Sequence, residues 1–179
     1  MGDVRAATQS DGARTALGID PGTAIVGYAV VRARGSDLSL VVCDVITTPA
    51  KMPLAQRLQQ IYEELSAIIA TYRPQEAAME DLFFAKNART AMTVGQARGV
   101  AMLALANGGL SVAEYTPRQV KQAVTGYGSA GKDQVGEMVR ILLKLTAGPR
   151  PDDAADAAAV ANCHLHTAPY AGSLSGYSR

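Results

Sequence analysis

Hydrophobic positions in this chain change period near residue 50, from strands alone before it to helices interleaved with short strands after it. Before it, three runs rich in Val, Ile and Thr are separated by turn residues: "TALGID" (15–20), "IVGYAVVRA" (25–33) and "LSLVVCDVITT" (38–48). Each predicts a β-strand, and the short Arg34–Asp37 link makes the second and third an antiparallel hairpin. After it, Leu54, Leu58, Ile61, Leu65, Ile68 and Tyr72 recur at alternating spacings of four and three, one face of an amphipathic helix. Pro53 suits its first turn and Pro74 limits its continuation. A short strand "EAAME" (76–80), a helix over about 90–106 and a strand "LSVAEY" (110–115) follow. Helices over about 117–125, 132–145 and 153–166 complete the chain. A β-hairpin leading into alternating strands and helices is an α/β fold with a mixed central sheet.

The first strand ends on an acid, in "LGIDPGT" (17–23). A strand, an acid and a glycine turn can cradle a nucleotide phosphate or hold a metal ion over a phosphodiester. The phosphate cradle of the actin and sugar-kinase ATPases needs two such domains and a second phosphate loop, for which 179 residues are too few. A second decoy, "GYGSAGKD" (126–133), meets the spacing G-x-x-x-x-G-K. Its next residue is Asp133 where a Ser or Thr should hold magnesium, and a helix-like segment precedes it, so it is not a P-loop. Lys132 near a helix start remains suited to meeting a DNA phosphate.

A metal site requires more carboxylates at other element ends. Glu80 ends the strand "AAME", and strand alternation turns its neighbour Asp81 to the opposite face. Asp153 and Asp156, three apart at the start of the last helix, share one helix face, and acids there also cap a helix and complement its dipole. Four such anions repel one another unless neutralised. Their hard oxygens select Mg²⁺ or Mn²⁺, and two such ions can clamp the attacking and leaving oxygens of a phosphoryl displacement.

Charge adds a surface to that centre. From Lys86 to Lys144 eight basic and three acidic residues give +5, against −4 for the remainder. That asymmetry suits nucleic acid beside an acidic centre, and solvated helix faces would produce it too. "FFAKNAR" (83–89) places the only two phenylalanines beside Lys86 and Arg89 close after Glu80, where an aromatic can stack on an unpaired base.

Together, "LGIDPGT", "MEDLFFAKNARTAMTVGQARGVAML", "YTPRQVKQAVTGYGSAGKDQV" and "DDAADAAAVANCHLH" resemble, in order and over nearly the whole chain, the RuvC family of Holliday-junction resolvases. The resemblance implies a ribonuclease-H-like fold, with three antiparallel strands followed by parallel ones and helices on either side. It implies a homodimer that nicks two opposing strands of four-way junction DNA using two Mg²⁺ per active site, with Mn²⁺ able to substitute. Carried onto this sequence, the metal ligands are Asp20, Glu80, Asp153 and Asp156. Asp152 shares a helix face with Asp156, but the D-A-A-D match selects Asp153. Phe83 takes the base-stacking position and Phe84 a core position, while Lys121 and Lys132 lie near the scissile phosphate, with Lys132 able to stabilise transition-state charge. Lys86 and Arg89 join the DNA-binding set. The G-x-x-x-G of "GQARG" (95–99) falls on the helix the family pairs across its dimer, and the family suggests branch-migration motors of the RuvA/RuvB type as partners. His164 and His166 receive no catalytic role. Rival readings are another ribonuclease-H-fold nuclease acting on RNA or hybrid, a non-catalytic junction-binding protein and, more distantly, an ATPase.

Cys43 and Cys163 form no disulfide framework and have no metal-ligand spacing, consistent with a reducing compartment. No apolar run approaches the roughly 20 residues of a membrane span, and the first residues have no apolar signal-peptide core. A cytoplasmic protein without membrane attachment is expected. It comprises one nuclease domain over 15–166, with flexible tails at 1–14 and 167–179.

Overall fold

The computed structural model describes residues 12–81 and 88–168, the side chains of 88–90 excepted. Among them, β1 (Ala13–Asp20), β2 (Ile25–Arg34), β3 (Asp37–Thr47), β4 (Glu76–Glu80) and β5 (Val112–Tyr115) form one sheet in the order β3-β2-β1-β4-β5. The β1–β2 and β2–β3 pairs are antiparallel, whereas β1–β4 and β4–β5 are parallel. The hairpin turns on Gly35 and Ser36, and Gly35 takes the positive φ (60°) that a tight two-residue loop demands of its first position.

Helices cover both faces. On one, α1 (Leu54–Tyr72) and α2 (Ala88–Asn107) bury Ile61, Leu65, Ile69, Ala97, Ala101 and Leu105 against Leu17, Ile19, Val30 and Met79. Each large aliphatic side chain withdrawn there contributes about 1.5–3 kcal/mol. On the other, α3 (Pro117–Thr125), α4 (Lys132–Leu142) and α5 (Asp152–Thr167) pack over Ala16, Ala29, Val31 and Ala78.

Strand alternation fixes what faces α5. Ala16 and Ala78 lie on that side, Leu17, Ile19, Ala77 and Met79 on the other, so Asp20 and Glu80 finish their strands on the α5 face. α5 is rich in Ala and buried from Ala157 to Leu165, and it lies close against β1 and β2. A Cβ on Gly18 would stand 2.2 Å from the Ala157 carbonyl oxygen, and one on Gly27 only 1.9 Å from that of Asp153. Glycine is needed at both positions because backbone meets backbone there.

The expected tail boundaries need correction. Ala13 and Arg14, placed in the N-terminal tail, belong to β1, where Arg14 pairs with Glu76 at 2.6 Å and donates to the Ala168 carbonyl at 3.2 Å. Thr167, placed in the C-terminal tail, ends α5. Residues 1–11 and 169–179 of the expected tails lie outside the described residues. α4 ends at Leu142, three residues before its expected end.

Candidate active site

Asp20 and Glu80 reach the same edge of the sheet because β1 and β4 run parallel with Ile19 opposite Met79. Asp20 also lies opposite Gly27 of β2. Since Gly27 lets the backbone of Asp153 settle onto β2, the first turn of α5 arrives beside Asp20. The turn after Asp20 is fixed from behind. The Thr23 carbonyl accepts from Thr48 Oγ1 at 2.5 Å and from the Arg57 guanidinium at 2.7 Å, and Arg57 Nε donates to Thr48 Oγ1 at 2.7 Å.

The acids sense one another. Burial, then repulsion from Asp156, Glu80 and Asp153, pushes the Asp20 carboxyl up to about 7, with Lys132 opposing. Glu80 is raised by burial and then by Asp156, while Lys121 and Lys132 pull it back. Lys132, the first residue of α4, sets its Nζ 3.0 Å from Asp156 Oδ2 and 3.4 Å from Asp152 Oδ2, and the Asp156 hydrogen bond raises its own pKa. The structure thus brings Asp20, Glu80, Asp153, Asp156, Lys121 and Lys132 into one electrostatic neighbourhood. Asp152 is different: its side chain is 70% exposed, and it is absent from the groups that raise Asp20.

Among the described residues, no three acidic, histidine or cysteine side chains are already drawn together as a closed metal cage. The donor chemistry nevertheless fits a hard divalent cation. Asp20 lies within electrostatic reach of Glu80, Asp153 and Asp156; burial and then that repulsion hold Asp20 and Glu80 above their ordinary range, and added positive charge would relieve the repulsion. Phe83 and Lys86 lie outside the described residues, as does the Arg89 side chain, whose backbone falls in the first turn of α2. The G-x-x-x-x-G-K decoy bridges two helices: Gly126 caps α3 with φ 77° and Gly131 precedes α4, so no strand leads into it.

Two groups escaped sequence reasoning. His164, given no catalytic role, is buried. Its Nδ1 is 2.9 Å from the Tyr115 hydroxyl and its Nε2 2.7 Å from Glu76 Oε2. Burial lowers its pKa. Arg98, to which the sequence assigned no role, is 7% exposed and hydrogen-bonds both the Glu80 carbonyl and the Glu114 carboxylate. A charged residue midway along an Ala-rich helix was the available signal.

Residues 16–164 match the family model described as crossover junction endodeoxyribonuclease RuvC. The chain is 60% identical over 154 residues to the crossover junction endodeoxyribonuclease RuvC of Chloroflexus aggregans, covering 86% of this chain and 94% of that one. It superposes on Thermus thermophilus RuvC in complex with a Holliday junction substrate with a TM-score of 0.82 and 36% identity, covering 86% of this chain and 93% of that one. The yeast mitochondrial Holliday junction resolvase Ydc2 shares the fold, with a TM-score of 0.60 at 14% identity, over 86% of this chain and 79% of that one.

Proposed function

Because this chain belongs to the RuvC crossover junction endodeoxyribonuclease family, we propose that its acidic edge hydrolyses phosphodiesters in four-way DNA junctions during recombination and repair. The observation that carries this is geometric: parallel β1 and β4 bring Asp20 and Glu80 to one sheet edge, and Gly27, opposite Asp20, seats the Asp153 backbone beside them.

Asp20, Glu80, Asp153 and Asp156 are the residues that would hold two Mg²⁺, with Mn²⁺ as a substitute. Such ions supply Lewis acidity to the phosphodiester and acidify the attacking water. Water adds to phosphorus, the P–O3′ bond breaks, and the products are a 5′-phosphate and a 3′-hydroxyl. Lys132 offers a mobile cation: its ammonium, now on Asp156 and Asp152, can transfer hydrogen bonds to the non-bridging oxygens and stabilise charge building on phosphorus. Lys121 offsets negative charge beside Glu80. Phe83 stacks on a base at the branch point, and Lys86 and Arg89 contact the DNA backbone.

The working unit is a homodimer. Met92, Gln96, Gly99, Leu103 and Ala106 follow one another around α2 at spacings of four and three, and all are exposed, with Met92 at 69% and Leu103 at 54%. A Cβ on Gly95 or Gly99 would meet nothing within 4 Å. Such a face fits a twin helix related by a two-fold axis, which also supplies the second active site for the opposing strand. The protein acts in the cytoplasm, alongside branch-migration motors of the RuvA/RuvB type. Among the described residues, no helix is long and apolar enough to cross a membrane.

The test is cleavage of a mobile four-way junction with and without Mg²⁺, beside linear duplex and an RNA–DNA hybrid. Symmetric, magnesium-dependent nicks on the junction alone are expected. Preferential cutting of the hybrid would move the assignment to RNA, and binding without nicks would remove catalysis from it.

A further inference from the structure

We infer that Arg98 is a positioning residue that fixes the end of β4 from the face opposite α5, so that the Glu80 carboxylate is presented to Asp20. The inference rests on Glu80 being a metal ligand. α2 lies on the other side of the sheet from α5, and Arg98 is among the few charged residues buried there. One arm of its guanidinium donates to the Glu80 carbonyl oxygen and the other to Glu114 Oε2, with Asp81 Oδ1 at 3.9 Å. Strand alternation accounts for the arrangement. In β4 and its extension, Glu80 points toward α5 and Asp81 toward α2; in β5, Tyr115 points toward α5, where it meets His164, and Glu114 toward α2.

The end of β4 needs such a tie. Its pairing with β1 stops at Met79, one residue before Glu80. Beyond Glu80 the ladder to β5 continues through the Asp81 N–H, which donates to the Tyr115 carbonyl at 2.7 Å. The Glu80 carbonyl is therefore held by a helix side chain where one neighbouring strand has already parted. A planar guanidinium can grip a carbonyl and a carboxylate together, and an ammonium on a flexible stem cannot hold that fork. The same charge offsets Asp81 and Glu114.

The experiment uses the full-length chain and the variants Arg98→Gln, Arg98→Lys, Glu114→Gln and Glu80→Gln. Three readouts are compared: Mn²⁺ binding to metal-free protein by paramagnetic resonance titration, hydrogen exchange at the Asp81 amide without metal, and single-turnover junction cleavage with junction affinity alongside. Arg98→Gln and Arg98→Lys are expected to weaken Mn²⁺ binding by about 10-fold or more and to accelerate Asp81 exchange. Both should slow cleavage while leaving junction affinity within about threefold, since the change is in the metal ligand's setting and not in a DNA contact. Glu114→Gln, which keeps the arm on the Glu80 carbonyl, should change Mn²⁺ binding less than either. If Arg98→Gln fails to fold, Arg98→Lys decides. A lysine variant with lower melting temperature but unchanged Mn²⁺ affinity and Asp81 exchange would leave Arg98 a plain structural residue and overturn the inference. Cleavage surviving in Glu80→Gln would instead overturn the reading of Glu80 as a ligand.

Discussion

Asp153 and Asp152 are adjacent carboxylates at one helix start, and their surroundings give them different work. Asp153 adds to the repulsion that raises Asp20, whereas Asp152 faces solvent and shares Lys132 with Asp156. Asp153→Asn should therefore cost roughly 100-fold or more in cleavage rate, the upper end of what even supporting groups around a metal cost. Asp152→Asn should stay within about threefold, as expected for an exposed ion pair. Single-turnover rates at saturating Mg²⁺ measure both. The sequence left both aspartates able to face inward; the contact of Asp153 with Gly27 separates them, and no spacing rule reports that contact. His164 was less legible still. A histidine near a helix C-terminus is usually exposed, but α5 is buried from Ala157 through Leu165, and only the tertiary packing says so. Burial lowers the His164 pKa from 6.5, so the unfolded chain takes up its proton first and stability falls as pH drops below that value. Glu76 is held below 4.5, chiefly by its Arg14 hydrogen bond, so its contribution is lost in a second, more acidic window. Asp20, raised to about 7, works in the opposite sense over the same range, so the His164 contribution is read as a difference: in urea unfolding at about pH 7.5 and about pH 5.5, the parent chain should lose more stability, or gain less, toward the acid end than His164→Gln does.

Element positions follow closely from the hydrophobic pattern, and the exceptions have local causes. α1 and α3 occupy the residues their spacing and prolines predict, and Thr116 closes α3 with a capping box to Gln119. α4 does not run to Leu145, although Leu142, Leu143 and Leu145 continue an apolar pattern. Lys144 takes a left-handed φ of 55°, its N–H bonds the Ile141 carbonyl, and the Leu145 N–H bonds that of Arg140 at 2.9 Å. This pair of bonds is a Schellman stop, built on lysine where glycine would have announced it. The placement of α5 against the sheet was the least legible feature. Its Ala-rich sequence has little amphipathic contrast, and what sets its height is the absence of side chains at Gly18 and Gly27. Gly27→Ala would force the start of α5 outward, because its Cβ would stand 1.9 Å from the Asp153 carbonyl oxygen. A loss of about 1–3 kcal/mol in stability is expected. Cleavage should fall further than stability explains, since Asp153 and Asp156 move with the helix. Calorimetry and cleavage rates on the same preparation separate the two effects.

At the scale of the molecule, one helix faces two ways. The buried side of α2 carries Ala97, Ala101 and Leu105 into the core and Arg98 to the end of β4, while its outer side exposes Met92, Gln96, Gly99, Leu103 and Ala106. G-x-x-x-G spacing permits close approach either to the helix's own sheet or to a twin. The empty space over Gly95 and Gly99 favours the twin, because a glycine kept for packing against its own sheet would have neighbours where Gly18 and Gly27 have them. A charge on that outer face would be withdrawn from water without a partner, in both copies at once. Leu103→Glu should therefore yield monomers by sedimentation equilibrium at concentrations where the parent chain is dimeric. Leu103 is 54% exposed within the protomer, so the melting temperature of the separated chain should change little. Cleavage then reports the coupling. A dimer held on one junction can cut both opposing strands before releasing it, whereas a monomer must return for the second cut. On a supercoiled plasmid bearing an extruded cruciform, the parent chain should give mainly linear product and Leu103→Glu mainly nicked circles. A variant that stays dimeric, or a monomer that still linearises the plasmid in one encounter, would place the partner contact elsewhere on the fold.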